Sequence, residues 1–130
     1  MRGAVTEIVC VRNQTRGTIL CARATLALGL HSRTRGLLGR VHLDPDEGML
    51  FEAGSLSPLM WMHTFFMSFP IDIVFLGRGN QVTKIQASLK PGRFSTIAIG
   101  ARKALELGAG VAANAETEVG DFVSIERVSI

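Results

Sequence analysis

Residues Met60 to Leu76 read "MWMHTFFMSFPIDIVFL", and the layout of this stretch decides the fold. It is almost entirely apolar, but His63, Pro70 and Asp72 interrupt it. A membrane helix needs about 18 consecutive apolar residues without such breaks. The last part, "IDIVFL", reads as a strand instead. Ile71, Ile73 and Phe75 fall on one face, and Asp72, Val74 and Leu76 on the other. Ile71 and Ile73 should face the core, so the face that carries Asp72 must offer it water or hydrogen-bond donors. Upstream, Met60, Met62, Thr64 and Phe66 alternate with Trp61, His63, Phe65 and Met67, and both faces are mainly apolar, as in an extended segment covered on both sides. Pro70 separates the two pieces, because it cannot donate to a strand ladder.

Working outward, "AVTEIVCVR" (4–12) and "GTILCARATL" (17–26) are strands on either side of the turn cluster "NQTRG". A hairpin centred near Thr15–Arg16 sets Cys10 directly opposite Cys21, within disulfide reach. In a reducing cytoplasm both thiols should stay free. "LHSRTRGLLGR" predicts a short helix capped by Ser32 or Thr34 and carrying Leu37 and Leu38. "DPDEG" is a turn leading into the strand "MLFEA". "GRGN" joins "IDIVFL" to its hairpin partner "QVTKIQASL", and "KPGRFSTI" is a loop. "GARKALELGAG" predicts a second short helix, Ala101 to Leu107, with Gly108 closing it at positive φ. "VGDFVSIERVSI" adds a last strand. About seven strands and two short helices give an α+β class. The expected architecture is a β-dominated single domain over residues 1–130, its antiparallel or mixed sheet curled toward a barrel.

Composition narrows the function. Apolar residues make up 47% of the 130, which excludes a disordered chain. Net charge is +3, with seven arginines and one acid, Glu7, before Asp44. Those arginines are spread over several elements, and no aromatic residue precedes Phe51 to stack a base. Both features weigh against nucleic acid as a partner. Two cysteines make no disulfide framework, and the three histidines show no zinc spacing. Neither a metal site nor a cofactor is indicated. The start, "MRGAVTEIVC", has no apolar leader core, so a cytoplasmic location and no membrane partner are expected.

The ordered set "RTRGLLGR", "DEGMLF", "MWMHTFFMSFPIDIVFL", "QVTKIQASLKPGR", "ALELGAG" and "VGDFVSI" resembles the bacterial and archaeal family called domain of unknown function 192. The resemblance covers about residues 33–125. It rests most on Trp61-Met62 with Pro70-Ile71-Asp72, and on Leu105-Glu106-Leu107 with Gly110. Where this chain has "HTFFM" after Trp61-Met62, the commoner family form has a Lys-Asn-Thr-like tripeptide, so no role of that tripeptide carries over. The resemblance implies a single β-rich domain and brings no established activity.

Five residues stand out as candidate ligand contacts: Trp61, His63, Asp72, Arg93 and Glu106. A charge taken out of water costs several kcal/mol unless it is paired. Asp72 must therefore be a structural carboxylate accepting backbone N–H bonds, or a working base. His63 could be a packed ring, or could pair with Asp72, which would fix its tautomer. Glu106 is a solvated residue on the polar side of a helix, a group bonding nearby backbone, or a second carboxylate sharing a cleft with Asp72. Arg93, on a loop, either faces water or holds an anion. Trp61 and its Met and Phe neighbours form core, or an aromatic–methionine pocket. No nucleophile completes a catalytic set, since Ser68 lacks a nucleophile elbow. Three readings follow. The first is a binding or accessory module for a small ligand or a protein, with an apolar groove around Trp61, His63 and Asp72. The second is a hydrolase or isomerase using His63 with Asp72 or Glu106. The third is a structural or interaction domain with no small-molecule site.

Overall fold

The computed structural model describes residues 7–27, 42–52, 59–60 and 68–128. In chain order the elements are β1 (Ile8–Asn13), β2 (Thr18–Ala27), β3 (Glu47–Glu52), β4 (Leu59–Met60), β5 (Ile71–Leu76), β6 (Val82–Leu89), β7 (Ala98–Ile99), β8 (Lys103–Gly108), the short helix α1 (Val111–Asn114) and β9 (Val123–Arg127). A single-turn 3-10 segment, Arg78–Asn80, lies between β5 and β6. Seven strands form one sheet in the order β6-β5-β8-β3-β2-β1-β9, and β4 pairs separately with β7. The β2–β3 pair is parallel and its neighbours are antiparallel, so the sheet is mixed.

The sheet curls until its two outermost strands meet at one end. Gln81 bridges Phe122. The Val82 N–H donates to the Asp121 carbonyl at 2.8 Å, and the Gly120 N–H to the Val82 carbonyl at 2.8 Å. The result is a half-barrel with an inner and an outer face, and β5 shows how the core divides between them. All six of its residues are buried. Val74 and Leu76 join Val11, Leu20, Leu50, Leu105 and Leu107 in the inner cluster. Ile71, Ile73 and Phe75 join Phe51, Leu89, Ala98 and Ala104 in the outer one. The alternation expected from "IDIVFL" is therefore the division of the core. Burying one such side chain is worth about 1.5–3 kcal/mol, so both faces contribute to stability.

The expected Ala101–Leu107 helix is a strand. Ala, Leu, Glu and Lys favour helix by local propensity, but Ala104, Leu105, Glu106 and Leu107 are all buried, with β3 on one side and β5 on the other. A strand in the middle of a sheet covered on both faces reads as a continuous apolar run, and tertiary burial outweighs propensity there. Gly108 is accordingly the last residue of β8 and does not have positive φ. The positive φ belongs to Gly110, at +90°, which leads into α1. Among the described residues there is one α-helix where two were expected. The helix read around Ser32, Thr34, Leu37 and Leu38 lies outside the described residues.

The β1–β2 hairpin forms as expected, and its turn register pairs Asn13 with Thr18 and Arg12 with Ile19. Continued without change, that register would set Cys10 opposite Cys21. Two register shifts intervene, and Cys21 pairs with Val11 instead. Cys10 pairs with Glu126 on the other flank of β1. Both cysteines are free. Bulges of this kind add residues to one strand and sharpen its bend, which suits a sheet that must curl.

Candidate functional site

Asp72 lies on the inner face with Val74 and Leu76, and it is 1% exposed. Opposite it, β6 is irregular: Ile73 pairs with Gln86 and Ile71 with Leu89, which leaves both Ala87 and Ser88 facing Asp72. Ser88 takes φ +50° at this bulge. Its N–H donates to Asp72 Oδ1 at 2.9 Å. Asp72 Oδ2 accepts the Gly110 N–H at 3.1 Å and the Ala112 N–H at 3.0 Å. These donors replace the water a carboxylate loses on burial. Asp72 thus fastens the bulge of β6 and the start of α1 to β5, and it belongs to the structural alternative raised by the sequence.

Glu106 is the next buried carboxyl. It pairs in register with Met49 on β3 and Ile73 on β5, while its neighbour Leu107 pairs with Asp72. One residue along a strand reverses the face. Glu106 therefore lies on the outer face with Ala104, Phe51 and Ile73, away from Asp72. The expected cleft shared by two carboxylates does not exist, because the sheet separates them. Glu106 is also not a solvated helix residue, being 3% exposed. It makes no hydrogen bond or ion pair with any described residue. Burial alone pushes its carboxyl from an ordinary 4.5 up to about 8. It is a neutral acid at neutral pH, able to donate one hydrogen bond.

Arg93 is exposed on the loop that follows Gly92, and it has an interaction partner. Trp61 and His63 lie outside the described residues. The structure places the ends of their segment, however. Met60 pairs with Ala98. Ala98 belongs to the outer cluster, and Phe69 packs against that same cluster. Among the described residues no group of three His, Cys, Asp or Glu side chains could hold a metal ion. No helix among them is long and apolar enough to cross a membrane.

One polar network escaped the sequence reading. Asp121 Oδ2 accepts from Asn13 Nδ2 at 2.9 Å, Arg16 Nε at 3.1 Å and the Glu118 N–H at 2.9 Å. Asn13 Nδ2 also donates to Thr117 Oγ1 at 3.0 Å. The Arg16 guanidinium, bonded to Asp121, is the main reason that its carboxyl falls to about 2. The segments involved, "NQTRG" and "VGD", read only as turns in sequence. The available signal was an Asn three residues before an Arg in one turn and an Asp after a Gly in the other. All members of the network are engaged with one another, which makes it a structural tie between the β1–β2 turn and the approach to β9. Cys21, by contrast, is a buried thiol pushed up to about 11 by desolvation, so it is protonated and inert.

The family profile of DUF192, described as "Uncharacterized ACR", matches residues 11–125. Two solved structures share the fold. One is a protein of unknown function from Novosphingobium aromaticivorans, 28% identical, with a TM-score of 0.77 over 92% of this chain and 84% of that one. The other, from Sinorhizobium meliloti, is named a "putative transcription regulator"; it is 23% identical, with a TM-score of 0.79 over 96% of this chain and 97% of that one. No curated protein matches the chain.

Proposed function

The chain belongs to the domain of unknown function 192 family, and from that premise we propose that it is a small binding or accessory module whose ligand meets the outer face of the half-barrel at Glu106. The observation that carries this reading is the contrast between the burial of Glu106 and its lack of a partner among the described residues. An apolar side chain at the centre of an apolar face would be the more stable choice. Positions that break a local packing rule without compensation are where function is to be sought. The groove is thereby re-centred. Asp72 faces the inner side and its oxygens are engaged, so it does not line it. Trp61 and His63 remain candidate lining residues, because their segment runs between Met60, paired with Ala98, and Phe69. Native mass spectrometry of freshly purified protein tests the reading. The parent should retain a small molecule that a folded Glu106→Leu variant does not. Equal retention by both, or none by the parent, would rule it out.

A second reading has one specific observation in its favour. A carboxyl that changes charge at about pH 8 suits general acid or base work near neutrality. Glu106 would then be the proton-transfer group of a hydrolase or isomerase, with His63 as its partner. Burst or steady-state turnover of an ester or enolisable ketone, lost in Glu106→Gln, would favour this reading over simple binding.

A further inference from the structure

Phe94, Ile97 and Ile99 lie within one short segment, and each is more than half exposed; Ile99 reaches 78%. None of the three belongs to either core cluster. Ala98, between the two isoleucines, is buried in the outer cluster. Ile97 and Ile99 therefore project together from the side of the chain opposite Ala98. Ile99 also stands at the tip of a turn. The Ala101 N–H donates to the Ala98 carbonyl at 3.4 Å, and Gly100 takes φ +78°. Exposed turns ordinarily carry Gly, Pro, Asn, Asp or Ser. A β-branched apolar side chain at such a tip gains no burial from the fold.

Cations border these residues. Arg102 follows the turn, and its N–H donates to the Leu76 carbonyl at 2.7 Å. A Cβ on Gly77 would lie 3.5 Å from the Gly100 carbonyl oxygen, so Arg78 comes beside the same turn from the connection between β5 and β6. Both arginines are exposed. Lys84 donates to Thr96 Oγ1 at 3.4 Å, next to Ile97. Lys90 and Arg93 precede Phe94. Residues 73–105 hold six Lys or Arg and no Asp or Glu. From the neighbouring strand Glu52 pairs in register with Lys103, which also donates to Asn80 Oδ1 at 3.0 Å. An apolar ridge bordered by cations complements a surface that is negative on top and apolar beneath. Side chains this exposed project and do not line a groove. They enter a yielding surface and offer no pocket to a partner's side chain.

We propose that this edge of the half-barrel docks on an anionic lipid surface, with Phe94, Ile97 and Ile99 entering the boundary between headgroups and acyl chains while Arg78, Lys84 and Arg102 meet the phosphates. Such attachment needs neither an apolar leader nor a spanning helix. It departs from the expectation of no membrane partner, which rested on the missing leader. Co-sedimentation of the full chain with vesicles tests it. Phosphatidylcholine vesicles carrying roughly one-third phosphatidylserine should bind the protein, phosphatidylcholine alone should bind it much less, and the difference should shrink as salt is raised. Ile99→Ser should weaken binding roughly tenfold. Its thermal melt should match the parent's, because Ile99 packs in neither cluster. Arg78→Glu combined with Arg102→Glu should abolish the preference for phosphatidylserine. No binding to either vesicle would overturn the proposal. So would binding that Ile99→Ser leaves unchanged, since adsorption by charge alone would then account for it. Soluble polyglutamate bound in place of vesicles, and lost in Ile99→Ser, would assign the edge to an acidic protein partner and overturn the lipid surface.

Discussion

Asp72 and Glu106 stand one register step apart on neighbouring strands, and both carboxyls are buried. Yet the protein treats them in opposite ways. Asp72, on the inner face, receives three backbone N–H groups from two other segments. Glu106, on the outer face, receives none from the described residues, and burial alone raises it to about 8. The inner carboxylate is wired into the fold, whereas the outer one is tolerated by it. Burial by itself therefore does not tell how a carboxyl is held in the fold; the donors around it do.

The sharpest way to break this comparison is to remove the charge at each position while keeping the shape. Asp72→Asn turns an amide N–H₂ toward N–H donors, and Asp72→Ala leaves those donors without an acceptor. Each unsatisfied buried group costs about 1–3 kcal/mol, so either variant should lose at least that much in chemical denaturation. A variant as stable as the parent would remove Asp72 from its structural role.

The corresponding change at Glu106 should do the reverse. Its folded-state value lies above its unfolded value, so the folded protein holds the proton more tightly. Stability should be greatest below about pH 4.5 with respect to this group, fall as pH rises, and level off above about pH 8. Glu106→Gln should flatten the decline between those limits. Glu106→Met should gain on the order of 1–3 kcal/mol at alkaline pH, by removing a buried charge that no described residue compensates. Thermal melts across the pH range read both. A Glu106→Gln protein with the parent's slope would mean that Glu106 does not carry the titration. Asp121 works in the opposite direction at the acid end. Its folded value is lowered, so its contribution is complete above about pH 4 and is lost as pH falls toward about 2.

A smaller effect separates two glycines near these carboxyls. Gly110 has φ +90° and donates its N–H to Asp72. Gly110→Ala should cost about 1–2 kcal/mol, the usual penalty of left-handed backbone for a residue with a Cβ. Gly108 has neither positive φ nor a close contact. Gly108→Ala should stay within about 0.5 kcal/mol of the parent. Equal losses in the two variants would contradict the strand end placed at Gly108.

The sequence exposed the parts of the molecule that depend on strand period. "IDIVFL" alternates, and that alternation became the two halves of the core. The need for backbone donors around Asp72 followed from the cost of burying a charge. Their identities did not, because Ser88, Gly110 and Ala112 come from a bulge and a turn far along the chain. "KALELG" was misread because its residues favour helix and only the neighbouring strands reveal that both of its faces are buried. That error hid Glu106, whose side chain looked solvated on a helix and is buried on a strand. The cysteine pairing failed for a local reason: the turn fixed the register near Asn13 and Thr18, and bulges in the hairpin then changed it.

The stitch between β6 and β9 has a consequence for how the molecule is made. β9 pairs Val123 with Asn13 and also reaches β6 through Gln81 and Phe122. Contacts this far apart in sequence cannot reward the chain until long loops have closed, so folding should be slow for a domain of this size. Until β9 arrives, β1 and β6 both present open hydrogen-bonding edges. During synthesis this half-finished barrel would be the species most exposed to edge-to-edge aggregation.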